Sequence, residues 1–277
     1  VLIRAIMDLK TKNIQLQYEG FLNTRQLWKN NEVFGLQQFE LSNIKRVTFE
    51  GVLQKNQRLG KRVESFLSHH LKQDATIKIL VENSQIQNKK ITVGELDFLI
   101  EHTKRPIHLE VIYKFYLYDA SVGETELEHW IGPNRRDSLV SKLTKLKDKQ
   151  LPLLYNLFTK PLLTKLNLNS ETIKQQVLFK AQLFIPYQAK NIEVKPLHYE
   201  CINGFYIHFN ELQQFNNCKF YIPSKINWLQ EIQIQTKWQS FEQFLQTIEL
   251  FLNQKSAPLC WLKHPNGETE KFFVVWW

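Results

Sequence analysis

The 277 residues carry 36 Lys and Arg against 27 Asp and Glu, a net charge of +9 and an isoelectric point near 9.3. Hydrophobic residues make up 43% and charged residues 23%, with only nine Gly and nine Pro, which excludes a disordered tail, a collagen-like fibre and a loop-dominated miniprotein. Aromatics at 13% promise a substantial buried core.

In chain order, residues 8–43 read as a short polar, mostly helical lead-in, with Leu27, Trp28, Val33, Phe34 and Leu36 available to dock. From Arg58 the period becomes helical. Leu59, Val63, Phe66, Leu67 and His70 fall on one stripe, and Gly60 opens the helix. The period then shortens. Residues 76–82, 91–101 and 107–118 are rich in β-branched and aromatic residues and predict three successive strands. Asn83, Ser84, Asn88 and the segment 102–106 supply turn chemistry between them. Gly132-Pro133-Asn134 marks a loop, after which Asp137 or Ser138 caps a helix running to about Gln150, with Leu139, Leu143 and Leu146 on one face. The last third predicts strands at 177–186, 204–210 and 218–222, an amphipathic helix over 240–254 and a closing hairpin around Asn266-Gly267. The expected division is a lead-in over 1–43, a core over 44–160 and a strand-rich extension over 161–277.

Cys201, Cys218 and Cys260 are odd in number and widely spaced, which favours free thiols over a disulfide framework or a zinc ribbon. The opening apolar run is broken early by Asp8 and Lys10, short of an export leader, and no stretch approaches the ~20 apolar residues of a membrane span. The expectation is a cytoplasmic protein without a membrane partner. The basic surplus favours polyanions such as DNA or RNA, and fits a solvated Lys-rich surface equally well.

The chemistry concentrates in Gly94-Glu95-Leu96-Asp97-Phe98-Leu99-Ile100 and His108-Leu109-Glu110-Val111-Ile112-Tyr113-Lys114. In a strand, Glu95 and Asp97 share one face while Leu96, Phe98 and Ile100 share the other, and Glu110, Ile112 and Lys114 share a face of the next strand. If the two strands pair through 102–106, Asp97 lies beside Glu110. Two carboxylates held inside an apolar sheet repel unless a positive group lies between them. A hard divalent cation, Mg²⁺ or Mn²⁺, meets that need. A lysine nearby can orient or deprotonate an attacking water. Glu64, beside Val63 and Phe66 on the preceding helix, can reach the same pocket. The plainer alternative is a set of edge-strand charges in cross-strand ion pairs, worth ~1 kcal/mol or less.

GELDFLI followed by HLEVIYK resembles the active-site motif of the PD-(D/E)XK nuclease superfamily, and the order of helix and three strands matches it. The blocks RLGKRVESFL, GELDFLI, HLEVIYKFYL and GPNRRDSLVSKLTKLKDKQLPLL resemble the bacterial domain-of-unknown-function family 1853 over roughly residues 40–275. The resemblance implies an α/β, restriction-endonuclease-like mixed sheet flanked by helices, with the strand-rich C-terminal addition outside it. It implies a metal-dependent nuclease acting on DNA, with Asp97, Glu110 and the main-chain carbonyl of Val111 as metal ligands and Glu64 as the helix-borne acid. The superfamily places its lysine two residues after the glutamate, where this chain has Ile112. Lys114, about 6.7 Å further along the same face, is then the substitute catalytic lysine. The departure at Ile112 also fits a nuclease-fold module that binds nucleic acid or protein without cleaving.

Six basic residues crowd 135–149 against two acids. Arg135, Arg136, Lys142, Lys145 and Lys149 are candidates to grip a phosphate backbone, with a solvated basic face as the alternative. Asn134 and Asp137 suit a turn and a helix cap, and the resemblance to a whole GPN-x-x-D block leaves a site role open. Trp276 and Trp277 can stack on bases or dock into the fold.

Overall fold

The computed structural model describes residues 2–42, 48–54, 56–189 and 192–277, with side chains described from residue 11 onward. The helices are α1 (Leu2–Asn23), α2 (Leu59–Leu71), α3 (Leu139–Lys145), α4 (Lys160–Lys165) and α5 (Phe241–Asn253). The strands are β1 (Ile77–Asn88), β2 (Ile91–His102), β3 (Arg105–Tyr118), β4 (Trp130–Ile131), β5 (Lys174–Pro186), β6 (Ile202–His208), β7 (Lys219–Tyr221), β8 (Leu259–Lys263) and β9 (Thr269–Val275). They form one mixed sheet in the order β1-β2-β3-β5-β6-β9-β8-β7, with β4 beside β3. β1-β2-β3 and β7-β8-β9 are antiparallel ladders, while β5-β6 and β6-β9 are parallel. The fold is therefore a mixed α/β sheet flanked by helices, as the alternation of periods predicts.

The chain divides into two compact units, and each draws on separate stretches rather than following a lead-in, core and extension. One comprises residues 26–113 and 141–180. Here the sequence reading of α2 holds to within a residue, with Val63, Phe66, Leu67 and His70 buried and Leu59 partly so. The three strands follow, but β1 continues through Asn83 and Ser84 to Asn88, and the hairpin closes at Lys89-Lys90 instead. Asn83 absorbs the anticipated turn as a single residue at φ +53°, a conformation asparagine tolerates, without breaking the ladder. The β2–β3 turn stands where expected, with Thr103 and Lys104 both at positive φ, the geometry of a tight two-residue hairpin. Leu96, Leu99, Leu153, Leu154 and Ile173 build this unit's apolar cluster. Gly94 makes room for it, because a Cβ there would stand 2.7 Å from the Leu153 side chain.

The expected single helix to Gln150 is shorter than its periodicity implies. α3 ends at Lys145, passes through a widened π turn over Leu146–Gln150, and tightens into a 3₁₀ turn over Leu151–Tyr155 where Pro152 enters. The leucine stripe survives, with Leu139, Leu143, Leu146 and Leu154 buried.

The other unit comprises residues 1–25, 114–140 and 181–277. Its helix α1 covers only the first part of the expected lead-in. The docking residues Leu27, Trp28, Val33 and Leu36 are buried in irregular chain of the first unit, where the Trp28 indole donates to the Leu36 carbonyl at 3.0 Å. Phe34, at 36% exposure, does not join them. α5 carries a capping box, with Ser240 and Gln243 exchanging side-chain and backbone hydrogen bonds. Its Phe241, Phe244 and Ile248 pack on Phe220, Phe272 and Leu262. The three cysteines are free and buried. Among the described residues no helix is long and apolar enough to cross a membrane.

Candidate metal centre

The β2–β3 ladder runs from His102↔Arg105 to Phe98↔Leu109. One step further, Asp97 would face Glu110. There the backbone pairing stops, and the Val111 N–H donates to the Asp97 carboxylate at 2.9 Å instead of to a main-chain carbonyl. A side chain thus replaces a ladder acceptor and fixes Asp97 at the fork of two strands. The other carboxylate oxygen of Asp97 has no hydrogen-bond partner among the described residues, although the residue is only 9% exposed.

One side-chain oxygen from each of Glu64, Glu95 and Asp97 lies within 4.8 Å of the others. The spacing of β2 brings Glu95 and Asp97 together on one face, and α2 delivers Glu64 from its buried side. Burial pushes the Asp97 carboxyl up to about 8, reinforced by Glu110 and Glu64 and opposed by the Val111 hydrogen bond and Lys61. Burial likewise raises Glu64, against the opposing pull of Lys61. Burial and neighbouring anions thus both oppose ionisation at Asp97, while the Lys61 ammonium offsets them at Glu64 and Glu95.

Glu110 is fully buried and held by two donors. His108 Nε2 lies 2.9 Å from one carboxylate oxygen, and the Gln150 amide donates to the other at 2.6 Å. The Gln175 amide nitrogen donates both its protons, to the Leu151 carbonyl at 2.5 Å and to His108 Nδ1 at 3.1 Å. That occupies Nδ1 as an acceptor and leaves the His108 proton on Nε2, aimed at Glu110. On the other side the Lys142 ammonium donates to the Gln150 carbonyl oxygen at 2.7 Å. Eight α-helical steps would leave Lys142 and Gln150 about 80° apart around the axis, and the π turn between them closes that angle.

The structure places the three expected acids near one another, Glu64 within 4.8 Å of Asp97 by side-chain oxygens and Glu110 close enough to act on the Asp97 charge. Val111 touches the site through its N–H rather than through the carbonyl expected to bind metal. Lys114 pairs at 2.5 Å with Asp137, the residue read from the sequence as a helix cap. Ile112 is buried at 4% exposure, as an apolar residue on that face should be. Sequence reasoning gave no site role to Lys61, His108 or Gln150, and placed Glu95 on the face of Asp97 without assigning it one. Lys61 lies three residues before Glu64, the spacing of neighbours on a helix face, and that signal was open to reading.

Of the candidate phosphate-grippers, Arg135 is committed to Asp119 at 2.7 Å and lies over the Trp277 ring at 4.5 Å. Trp277 itself donates to the Pro133 carbonyl at 3.0 Å and is docked rather than free to stack. Asn134 accepts from the Ala257 N–H at 2.7 Å. Arg136, Lys145 and Lys149 are exposed, and Lys142 serves Gln150.

The chain matches the domain of unknown function DUF1853 over residues 36–275, and it belongs to that family. No curated protein and no solved structure matches it.

Proposed function

We propose that this DUF1853 member is a metal-dependent phosphodiester hydrolase of the PD-(D/E)XK type, with a restriction-endonuclease-like core and nucleic acid, DNA foremost, as substrate. The observation that carries the reading is Asp97. It is a buried carboxylate at the fork of two strands, with one oxygen unpartnered and three other acids around it. An all-oxygen donor set of this kind suits Mg²⁺ or Mn²⁺. Asp97, Glu64 and Glu110 would hold the ion. The Val111 carbonyl would assist, since the N–H and C=O of one strand residue leave on the same edge. When bound, the cation would acidify a water and take up charge on the scissile phosphate. The chain's own contribution is positional. His108 and Gln150 fix Glu110, and Val111 fixes Asp97, so neither carboxylate must reorganise when substrate arrives.

The test is cleavage of single-stranded, duplex and branched DNA and of RNA, with Mg²⁺, Mn²⁺ or chelator. Activity should need the metal and fall by more than about a hundredfold in Asp97→Ala. Metal-independent cleavage, or an Asp97→Ala protein that cuts like the parent, sinks the reading.

One observation favours a second reading, a non-cleaving nucleic-acid or protein-binding module. The Lys114 ammonium is bound to Asp137, and Ile112 occupies the usual lysine position. Salt-sensitive DNA binding that persists in Asp97→Ala, with no cleavage under any metal, would select it.

A further inference from the structure

We propose that Lys61 is a tethered competitor for the metal: its ammonium, shared between Glu64 and Glu95, occupies the acid cluster and must leave before a divalent ion can use Glu64. The inference rests on the metal reading above and adds a built-in control of loading to it.

The Lys61 ammonium has three donors and finds three acceptors. It donates to Glu64 at 2.7 Å, to the Asn83 side-chain carbonyl at 3.1 Å and to Glu95. Two of those acceptors belong to the trio whose oxygens lie within 4.8 Å of one another. The third comes from Asn83, the positive-φ residue within the continuous strand β1, whose side-chain oxygen is aimed at this ammonium. Asp97, the remaining member of the trio, is 9% exposed and keeps an oxygen unpartnered among the described residues. The cluster is thus filled by a lysine at Glu64 and Glu95 and left unfilled at Asp97.

An ammonium and a divalent ion on the same carboxylates repel strongly in a partly desolvated site. They exclude each other. Lys61 can yield, because its side chain is 43% exposed and its stem is long and flexible. It is anchored one helical turn from Glu64, so on leaving it stays close enough to return when the ion departs. The site should therefore load only where divalent ion is plentiful, or where a bound polyanion draws the lysine outward.

The experiment is Mn²⁺ titration of the full chain by calorimetry at fixed pH, with melting in chelator as the check on folding. Lys61→Met should tighten the Mn²⁺ dissociation constant about tenfold, equivalent to ~1.4 kcal/mol. Lys61→Arg keeps the charge and should stay within about twofold of the parent. Asn83→Gly keeps the left-handed backbone, removes only the third acceptor, and should fall between them. If Lys61→Met binds Mn²⁺ no tighter than the parent, or if Lys61→Arg tightens equally, the proposal is overturned. Equal binding by parent and Lys61→Met, abolished in both by Asp97→Asn, would overturn the competition while leaving the metal site standing. Absence of Mn²⁺ binding in every variant would bring down both.

Discussion

Two ionisable side chains, one in each compact unit, are buried almost completely and treated in opposite ways. Lys271 on β9, with its side chain 3% exposed, has Glu231 at 3.2 Å and the Gln182 amide oxygen at 3.4 Å. Burial lowers its pKa, and Glu231 pulls it back. Asp97 is 9% exposed and is given more carboxylates instead. The buried lysine receives an opposite charge, whereas the buried Asp97 carboxyl is left in deficit, as the proposed catalytic role requires. Glu110 completes the comparison. It is an acid as deeply buried as any residue in the chain, but it is satisfied through neutral donors, His108 and Gln150.

That contrast can be broken most forcefully at Glu110. Glu110→Ala strands the His108 and Gln150 donors in a dry interior and should cost about 3 kcal/mol, read as a shift in the urea midpoint. An unchanged midpoint would mean that the two donors find water and that the acid is not structurally embedded. Asp97→Asn should act in the opposite direction. The folded-state value of about 8 lies above the ordinary 3.8, so the folded protein holds this proton more tightly than the unfolded chain does. Below pH 4 both states are protonated and the residue costs nothing. Between pH 4 and pH 8 the unfolded chain alone gives up the proton, and stability falls. Asp97→Asn should therefore stabilise the metal-free protein increasingly as pH rises from 4 to 8, by up to ~1.4 kcal/mol per pH unit, and not at all at pH 4. Unfolding in chelator across that range would show a pH-independent gap if the carboxyl were ordinary.

Lys271→Met sharpens the architectural side. Glu231 is 58% exposed, so removing the lysine leaves its partner in water, and the substitution should change stability by less than about 1 kcal/mol. A larger loss would assign Lys271 a role beyond filling space with a matched charge. The smallest effect belongs to Asp137→Asn. It breaks a half-exposed pair with Lys114 and should move stability by only about 0.5 kcal/mol. An increase in activity in that variant would show that Asp137 withholds Lys114 from catalysis.

Much of this was legible in the sequence because periodicity reports burial. The stripe of α2, the alternation of β2 and the phenylalanine face of α5 are all written in residue type, and each element forms close to where its pattern lies. The conjunction of Asp97 and Glu110 followed from strand pairing alone. What stayed hidden depends on single residues acting through geometry. Asn83 carries turn chemistry but spends it inside a continuous strand, and no propensity distinguishes those uses. Gly94 was quoted as part of a motif, while its physical reason, the approach of Leu153, needs the third dimension. Lys61 was overlooked because a lysine in an amphipathic helix ordinarily faces water. Lys142 was read as a phosphate contact from its charge, and its partner Gln150 comes into reach only because the helix widens.

That widened turn makes the spacing between residues 142 and 150 a measured length rather than a tether of any convenient size. Adding one residue between Leu146 and Gln150 would swing the Gln150 amide about a further 100° around the helix and detach it from Glu110, whereas losing Lys147, Asp148 or Lys149 would rewind the coil to regular geometry and leave Gln150 within about 20° of Lys142. Short insertions here should thus be far more harmful than the mild, exposed character of Lys147, Asp148 and Lys149 would suggest. Point replacements at the same three positions should pass almost unnoticed.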